Sequence, residues 1–201
     1  MKKACIRIFS IILVLVAFLQ TNTLPISANS SAYIYSQKWN KHTLYFYFDT
    51  TPSADIIPKS AYVYWNVEVP PAFEFWNSWL ETYQVNIKFV QTNKKSKADV
   101  IVKYGTGPSW AHVDLEKTST TIKKATITLD DFEFYNLKIS DDDIRKIIKH
   151  EIGHTLGLRD IAVNVANKLN IKSIMVNDIY NSRHVSYPTY EFYRVNLKKN
   201  Y

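Results

Sequence analysis

The sequence predicts a single α/β (α+β) domain, and three observations lead there. Short apolar or alternating segments that read as strands fall at residues 43–49, 84–91, 98–104 and 126–129. Two longer segments, 72–83 and 141–156, carry apolar residues at helical spacing, and strands lie on both sides of the first of them. Finally, 46% apolar and 21% charged residues over 201 positions suit one ordinary globular core. Four glycines and one cysteine exclude a collagen-like chain and a disulfide scaffold, and no Pro/Gly/Ser linker divides the sequence. The formal charge of +7 on its own suggests an anionic partner.

The first segment stands outside that domain. Lys2, Lys3 and Arg7 precede an apolar run from Ile8 to Leu19, and small residues follow. That is the layout of a secretory signal peptide, with cleavage near Ala28 to Ser30. A membrane span needs about twenty apolar residues, so the run is too short for one, and no later segment spans a membrane either. Cys5 precedes the apolar run, unlike the cysteine of a lipoprotein signal. Residues 1–28 are therefore expected to leave, with the mature chain secreted and extracellular. It would keep 22 basic against 18 acidic residues, a charge of +4.

Within the mature chain, Thr43–Asp49 (TLYFYFD) reads as a strand stopped by Thr-Thr-Pro. Pro70-Pro71 then opens a predicted helix over Ala72–Tyr83. Its apolar residues share one face, so Trp76 and Trp79 read as core and not as a ligand-stacking pair. Gln84–Gln91 alternates as a strand, Thr92–Lys97 is a turn, and Ala98–Tyr104 is a further strand. Thr126–Leu129 is another, ahead of the acidic turn Asp130-Asp131. Segments 53–69 and 105–124 show no decisive pattern. Ser140 followed by Asp141, Asp142 and Asp143 is a capped helix start, and Gly157 is a left-handed terminator, so a helix is predicted to about Leu156.

That second helix carries the chemistry: His150-Glu151-Ile152-Gly153-His154-Thr155-Leu156-Gly157-Leu158-Arg159-Asp160. On a helix, residues four apart lie about 40° from each other, one turn above the next. His150 and His154 can therefore share one Zn²⁺, and Glu151 can reach a water beside it. Ile144, Ile147 and Ile148 continue the same side, which puts the pair in a cleft over the core. Gly157 permits a sharp turn that lets Asp160 return as third ligand, leaving the fourth position for water, the catalytic arrangement. Glu151 is then the general base that passes a proton to the leaving amine. The plainer reading is a charged helix whose histidines pack or face solvent. A chance match at the five fixed positions is on the order of one in 10⁵, which weighs against it.

This stretch resembles the extended zinc motif of the metzincin metalloendopeptidases, with Asp as third ligand as in the snapalysin-like group. The resemblance implies a methionine turn beneath the zinc, matched by Ser173-Ile174-Met175. Upstream, TLYFYFDTTP, AFEFWNSWLETYQVNIKFVQ, ADVIVKY and LDDFEF follow matrixin order. It implies a metzincin-like twisted five-stranded mixed sheet with an active-site helix, a second backing helix and a small C-terminal helical subdomain. On that view residues 29–157 and 158–201 are the two subdomains, and Gly105–Val113 is the edge against which substrate lies. The implied activity is zinc-dependent endopeptidase action on protein or peptide substrate by a monomer, with no nucleic-acid partner. Tyr180 or Tyr187 would support the oxyanion, packing being the plainer role. Asp130 and Glu133 match an acidic pair that binds Ca²⁺ in many matrixins, although a solvated turn explains them equally. Only His112 lies where matrixins bind a structural zinc, so no such site is expected, and the missing cysteine excludes a cysteine-switch latency.

Two other readings compete. Glu191 could be a distant third ligand, which leaves Gly157, Asp160 and Met175 unexplained. Alternatively, the basic, aromatic-rich chain could be a secreted protein that adheres to an anionic surface with little or no activity. Its aromatics mostly follow strand or helix spacing, however, and its charges are scattered.

Overall fold

The structure, a computed structural model, describes residues 33–53, 55, 57–169, 173–177, 197–198 and 200–201. The expected signal segment, Tyr180, Tyr187 and Glu191 lie outside the described residues. Ser31–Tyr201 is one compact unit. No helix among the described residues is long and apolar enough to cross a membrane.

Five strands, β1 (Thr43–Asp49), β2 (Lys88–Gln91), β3 (Val100–Gly105), β4 (Ala111–Lys117) and β5 (Ile122–Asp130), form one sheet in the order β2-β1-β3-β5-β4. The β1–β2, β1–β3 and β3–β5 pairs are parallel, and only β4 runs antiparallel, against β5. This is the expected mixed five-stranded sheet of an α/β fold. β4 is an edge, with one side of its backbone ladder open. It spans Ala111–Lys117, later than the expected Gly105–Val113, because Gly105 still belongs to β3 and pairs with Asp130.

Helix α1 (Lys59–Thr82) starts well before the expected position and runs through Pro70 and Pro71. Neither proline can donate to the helix ladder, so the carbonyls of Asn66 and Val67 lose their helical donors. Burial overrides that loss. Tyr62, Trp65 and Val69 before the prolines and Ala72, Phe73 and Trp76 after them all enter the core. Gln84–Ile87 also departs from the strand prediction. Gln84 has a positive φ of 54°, and Val85 N–H donates back to Leu80. Val85 and Ile87 are nonetheless buried, so their alternation recorded burial without sheet pairing.

The acidic turn is a short helix, α2 (Asp131–Asn136), and α3 (Asp141–Thr155) starts as predicted, with Ser140 Oγ accepting from Asp143 N–H. α4 (Val163–Leu169) follows the metal-motif turn. α1 and α3 pack on each other, and α3 also contacts β4 and β5. Glu68 of α1, buried, holds Arg145 of α3 through a bidentate pair at 2.6 and 3.0 Å. Trp76 Nε1 donates to Lys149 O at 2.7 Å, and the Phe73 ring stacks on Phe46 at 3.8 Å. α3 is thereby held against α1, and both helices pack on the sheet.

The segment 33–39 forms a strap that the sequence did not signal. Ile34 bridges Leu158 and Lys38 bridges Thr121, so the strap joins the Gly157 turn to the β4–β5 hairpin. Tyr35 N–H donates to Gly157 O, and Trp39 Nε1 donates to Thr155 O. These bonds satisfy carbonyls that a helix end otherwise leaves open.

Candidate metal centre

His150 and His154 project from consecutive turns of α3, and their Nε2 atoms lie 3.0 Å apart. His150 Nδ1 is 2.7 Å from Ile174 O, and His154 Nδ1 is 2.8 Å from Leu158 O. A carbonyl only accepts, so in the neutral rings each Nδ1 carries the hydrogen and each Nε2 presents a lone pair. Asp160 Oδ1 approaches the same point, 3.0 Å from His150 Nε2 and 3.5 Å from His154 Nε2. Three electron-pair donors thus converge. Such a set repels itself unless a proton or a cation lies among them. Two imidazoles and a carboxylate, with backbone carbonyls fixing the outer nitrogens of the rings, are the donor chemistry that suits Zn²⁺.

The electrostatics follow from burial and these contacts. Burial pushes the Glu151 carboxyl up, against the opposing pull of His150 and His154. For Asp160 burial also acts upward, but the hydrogen bonds that His150 and His154 donate from Nε2 when protonated outweigh it and hold the carboxyl well below its usual range. Burial lowers His154, while Asp160 and Glu151 together raise it above an ordinary imidazole. Glu151 is 6% exposed and belongs, with the two histidines, to the one metal-competent group of His, Cys and acidic side chains found among the described residues.

Two turns support this constellation. Gly157 sits at φ +87°, a conformation that L side chains rarely adopt, and so reverses the chain toward Asp160. In the second turn, Ser173 Oγ accepts from Met175 N–H, Ile174 O holds His150, and Met175 O accepts from Ile161 N–H. Met175 is fully buried beneath α3, where a Cβ on Gly153 would overlap its sulfur and come within 3.1 Å of Trp76.

An open cleft of about 630 Å³ runs over the site, walled by β4 residues including Ala111 and Val113 and lined also by Tyr35. Its size is in the range of ligand clefts. The structure therefore brings together His150, Glu151, His154 and Asp160, with Met175 below them. Sequence reasoning missed the carbonyls of Leu158 and Ile174, because backbone partners leave no residue-type signal, and Tyr35, which long-range contacts of the strap bring to the cleft. Asp130 lies elsewhere, buried, with Oδ1 accepting from Glu133 N–H and Oδ2 from Gly107 N–H. Its carboxylate caps α2 and pins the loop after β3. His112 stands on β4, with Nε2 3.6 Å from Asp114.

A helix-borne histidine pair with a glutamate between, set over a mixed sheet, is an arrangement that metallopeptidases use. More narrowly, the chain belongs to the matrixins, peptidase family M10, whose family model matches residues 38–183. Matrixins are zinc-dependent peptidases. No curated protein matches the chain. Among solved structures, that of myroilysin is similar at 16% identity and a TM-score of 0.40, covering 70% of this chain and 59% of that one. The GM1-bound form of the ECX AB5 holotoxin is similar at 15% identity and a TM-score of 0.39, covering 87% and 80%. Both likenesses are remote, and the chain spans less than two thirds of the myroilysin chain.

Proposed function

We propose that the protein is an exported zinc endopeptidase, in which His150, His154 and Asp160 hold the ion and Glu151 is the general base. The convergence of two Nε2 atoms and Asp160 Oδ1 beside a buried glutamate carries this reading. When bound, zinc would polarise the scissile carbonyl and make a water more acidic. Glu151, with its carboxyl raised by burial, takes a proton from the attacking water and returns it to the leaving amine. Substrate backbone pairs with the open side of β4, which leaves its carbonyl over the cleft floor. Met175 is the platform under the ligand helix. An Asp third ligand is the pattern of the snapalysin-like group.

Residues 1–28 serve as a cleaved signal peptide on this reading, and the mature chain acts as a monomer outside the cell. Tyr180 or Tyr187 is the candidate for oxyanion support, and Asp130 with Glu133 for calcium. The test is hydrolysis of casein by the mature, zinc-loaded chain. Glu151→Ala should keep zinc and fold while losing nearly all turnover. Undiminished turnover in that variant would remove Glu151 from the chemistry.

A further inference from the structure

Beside the two histidines, Glu151 and Asp160, the cleft is lined by the polar side chains of Tyr35, Ser109, His112 and Asn177. Zinc binding uses none of them, and their surroundings set them apart. Ser109 Oγ donates its proton to Ala111 O. His112 turns Nδ1 into the protein, where it is buried without a partner, 2.6 Å from where a Cβ on Gly107 would be. Its Nε2 lies 3.6 Å from Asp114. Tyr35 is tied through its backbone to Gly157, three residues before Asp160. Asn177 is exposed to the cleft, and no hydrogen bond among the described residues engages its side-chain amide.

The backbone that carries this amide is firmly held. Asn177 N–H donates to Ile161 O at 2.9 Å, and Ile161 N–H donates to Met175 O at 2.8 Å. Ile161 and Val176 thus form a parallel bridge, and Ile161 directly follows Asp160. Ser173, Ile174, Met175 and Val176 are all buried, so the turn leading to Asn177 has little freedom. The unspent amide therefore stands on the Asp160 side of the site, on a support bonded to the segment of the third metal ligand. The two carboxylates of the site, Glu151 and Asp160, repel a carbonyl oxygen that gains negative charge beside them. An amide supplies N–H donors to such an oxygen and carries no charge of its own.

We propose that Asn177 is a further catalytic residue, whose side-chain N–H donates to the scissile carbonyl oxygen as that oxygen becomes negative. This rests on the zinc endopeptidase reading and deepens it. The water oxygen bonds to the carbonyl carbon, the π pair of the carbonyl moves onto its oxygen, and Glu151 takes the water's proton. That pair then re-forms the double bond, the C–N bond breaks, and the proton passes to the amine. Asn177 holds the charge between these two events. Its hydrogen bond is stronger there than to the ground-state carbonyl, so the gain belongs in kcat. A preorganised donor of this kind is worth about 10²–10³ in kcat where it acts without a metal. With a cation sharing the charge, roughly ten- to hundred-fold is expected.

The experiment compares the zinc-loaded mature chain with Asn177→Ala and Asn177→Asp by steady-state kinetics on a peptide that the wild type cuts. Zinc affinity, the unfolding midpoint and inhibition by a phosphinic peptide, whose tetrahedral phosphorus carries an anionic oxygen, are measured alongside. Asn177→Ala should lower kcat ten- to hundred-fold with KM within about two-fold, and weaken the phosphinic peptide by a similar factor. Zinc affinity and the midpoint should stay as they were, because the backbone N–H to Ile161 is kept. Asn177→Asp, which has the same shape and no donor when ionised, should lose at least as much kcat. Undiminished kcat in either variant, a loss seen in KM alone, or a kcat loss that tracks lost zinc overturns the role and leaves the peptidase reading standing. Failure of the zinc-loaded wild type to cut any peptide overturns both.

Discussion

Among single residues, His154 connects structure to a measurable pH response. Buried beside Asp160 and Glu151, it holds its proton to higher pH than a free imidazole does. On the proposed reading zinc must displace that proton. Affinity should therefore be full only above the raised value and fall as pH drops through it, by about tenfold per unit for each proton displaced. Competition titration with a metal indicator between pH 8 and 5 reads this directly, and a flat profile would contradict it. Asp160→Ala should weaken zinc more than tenfold without unfolding the chain. Unaltered affinity would pass the third position to another residue, Glu191 included. Gly153 is a second residue-level case. Alanine there would overlap Met175 Sδ, so Gly153→Ala should cost about 1–3 kcal/mol in denaturant unfolding. The motif's own spacing made His150, Glu151 and His154 legible. The tautomer of each histidine was not legible, because Ile174 O and Leu158 O are backbone atoms brought in by folding.

At the level of elements, α1 shows where local rules lose. Two consecutive prolines read as a helix start, and in the fold they sit inside a 24-residue helix. Tyr62, Trp65 and Val69 bury enough apolar surface upstream to hold a ladder with two missing donors. Pro71 is exposed, so Pro71→Ala should restore a donor and raise stability by about 1 kcal/mol, read as a higher midpoint in chemical denaturation. An unchanged or lower midpoint would mean that the proline's rigidity outweighs the lost bond. α3, by contrast, was legible from end to end. Its cap, its acidic first turn and its glycine stop are all local signals, and all agree with the buried face. β4 was legible only in part: Ala111, Val113 and Leu115 do alternate with His112, Asp114 and Glu116, but where the strand starts and ends is set by its pairing with β5.

For the molecule as a whole, the strap and the C-terminal residue meet at the end of α3. Trp39 is 2% exposed, its indole N–H bonds Thr155 O, and its backbone N–H donates to the hydroxyl of Tyr201. Trp39→Ala removes a large core side chain and a carbonyl partner together, so a loss of about 3–5 kcal/mol is expected. Because Thr155 precedes the Gly157 turn, zinc affinity should fall in the same variant. Stability loss with zinc affinity untouched would show the clamp to be structural alone.

What the sequence by itself determined is local: α3 with its caps, the two motif histidines one turn apart with a glutamate between, the glycine that turns the chain, and most of the parallel strands. These follow from periodicity and from residue types whose backbone preferences act within a few positions. What only the tertiary structure decided lies between distant segments. It set the parallel order of the sheet, the passage of α1 through its prolines, and the placing of Ile174 O under His150. It also brought Lys117 and Arg159 over the ring of Tyr35. The physical reason is that such contacts depend on which surfaces bury together, and that balance is settled by the whole core and by no local stretch of chain.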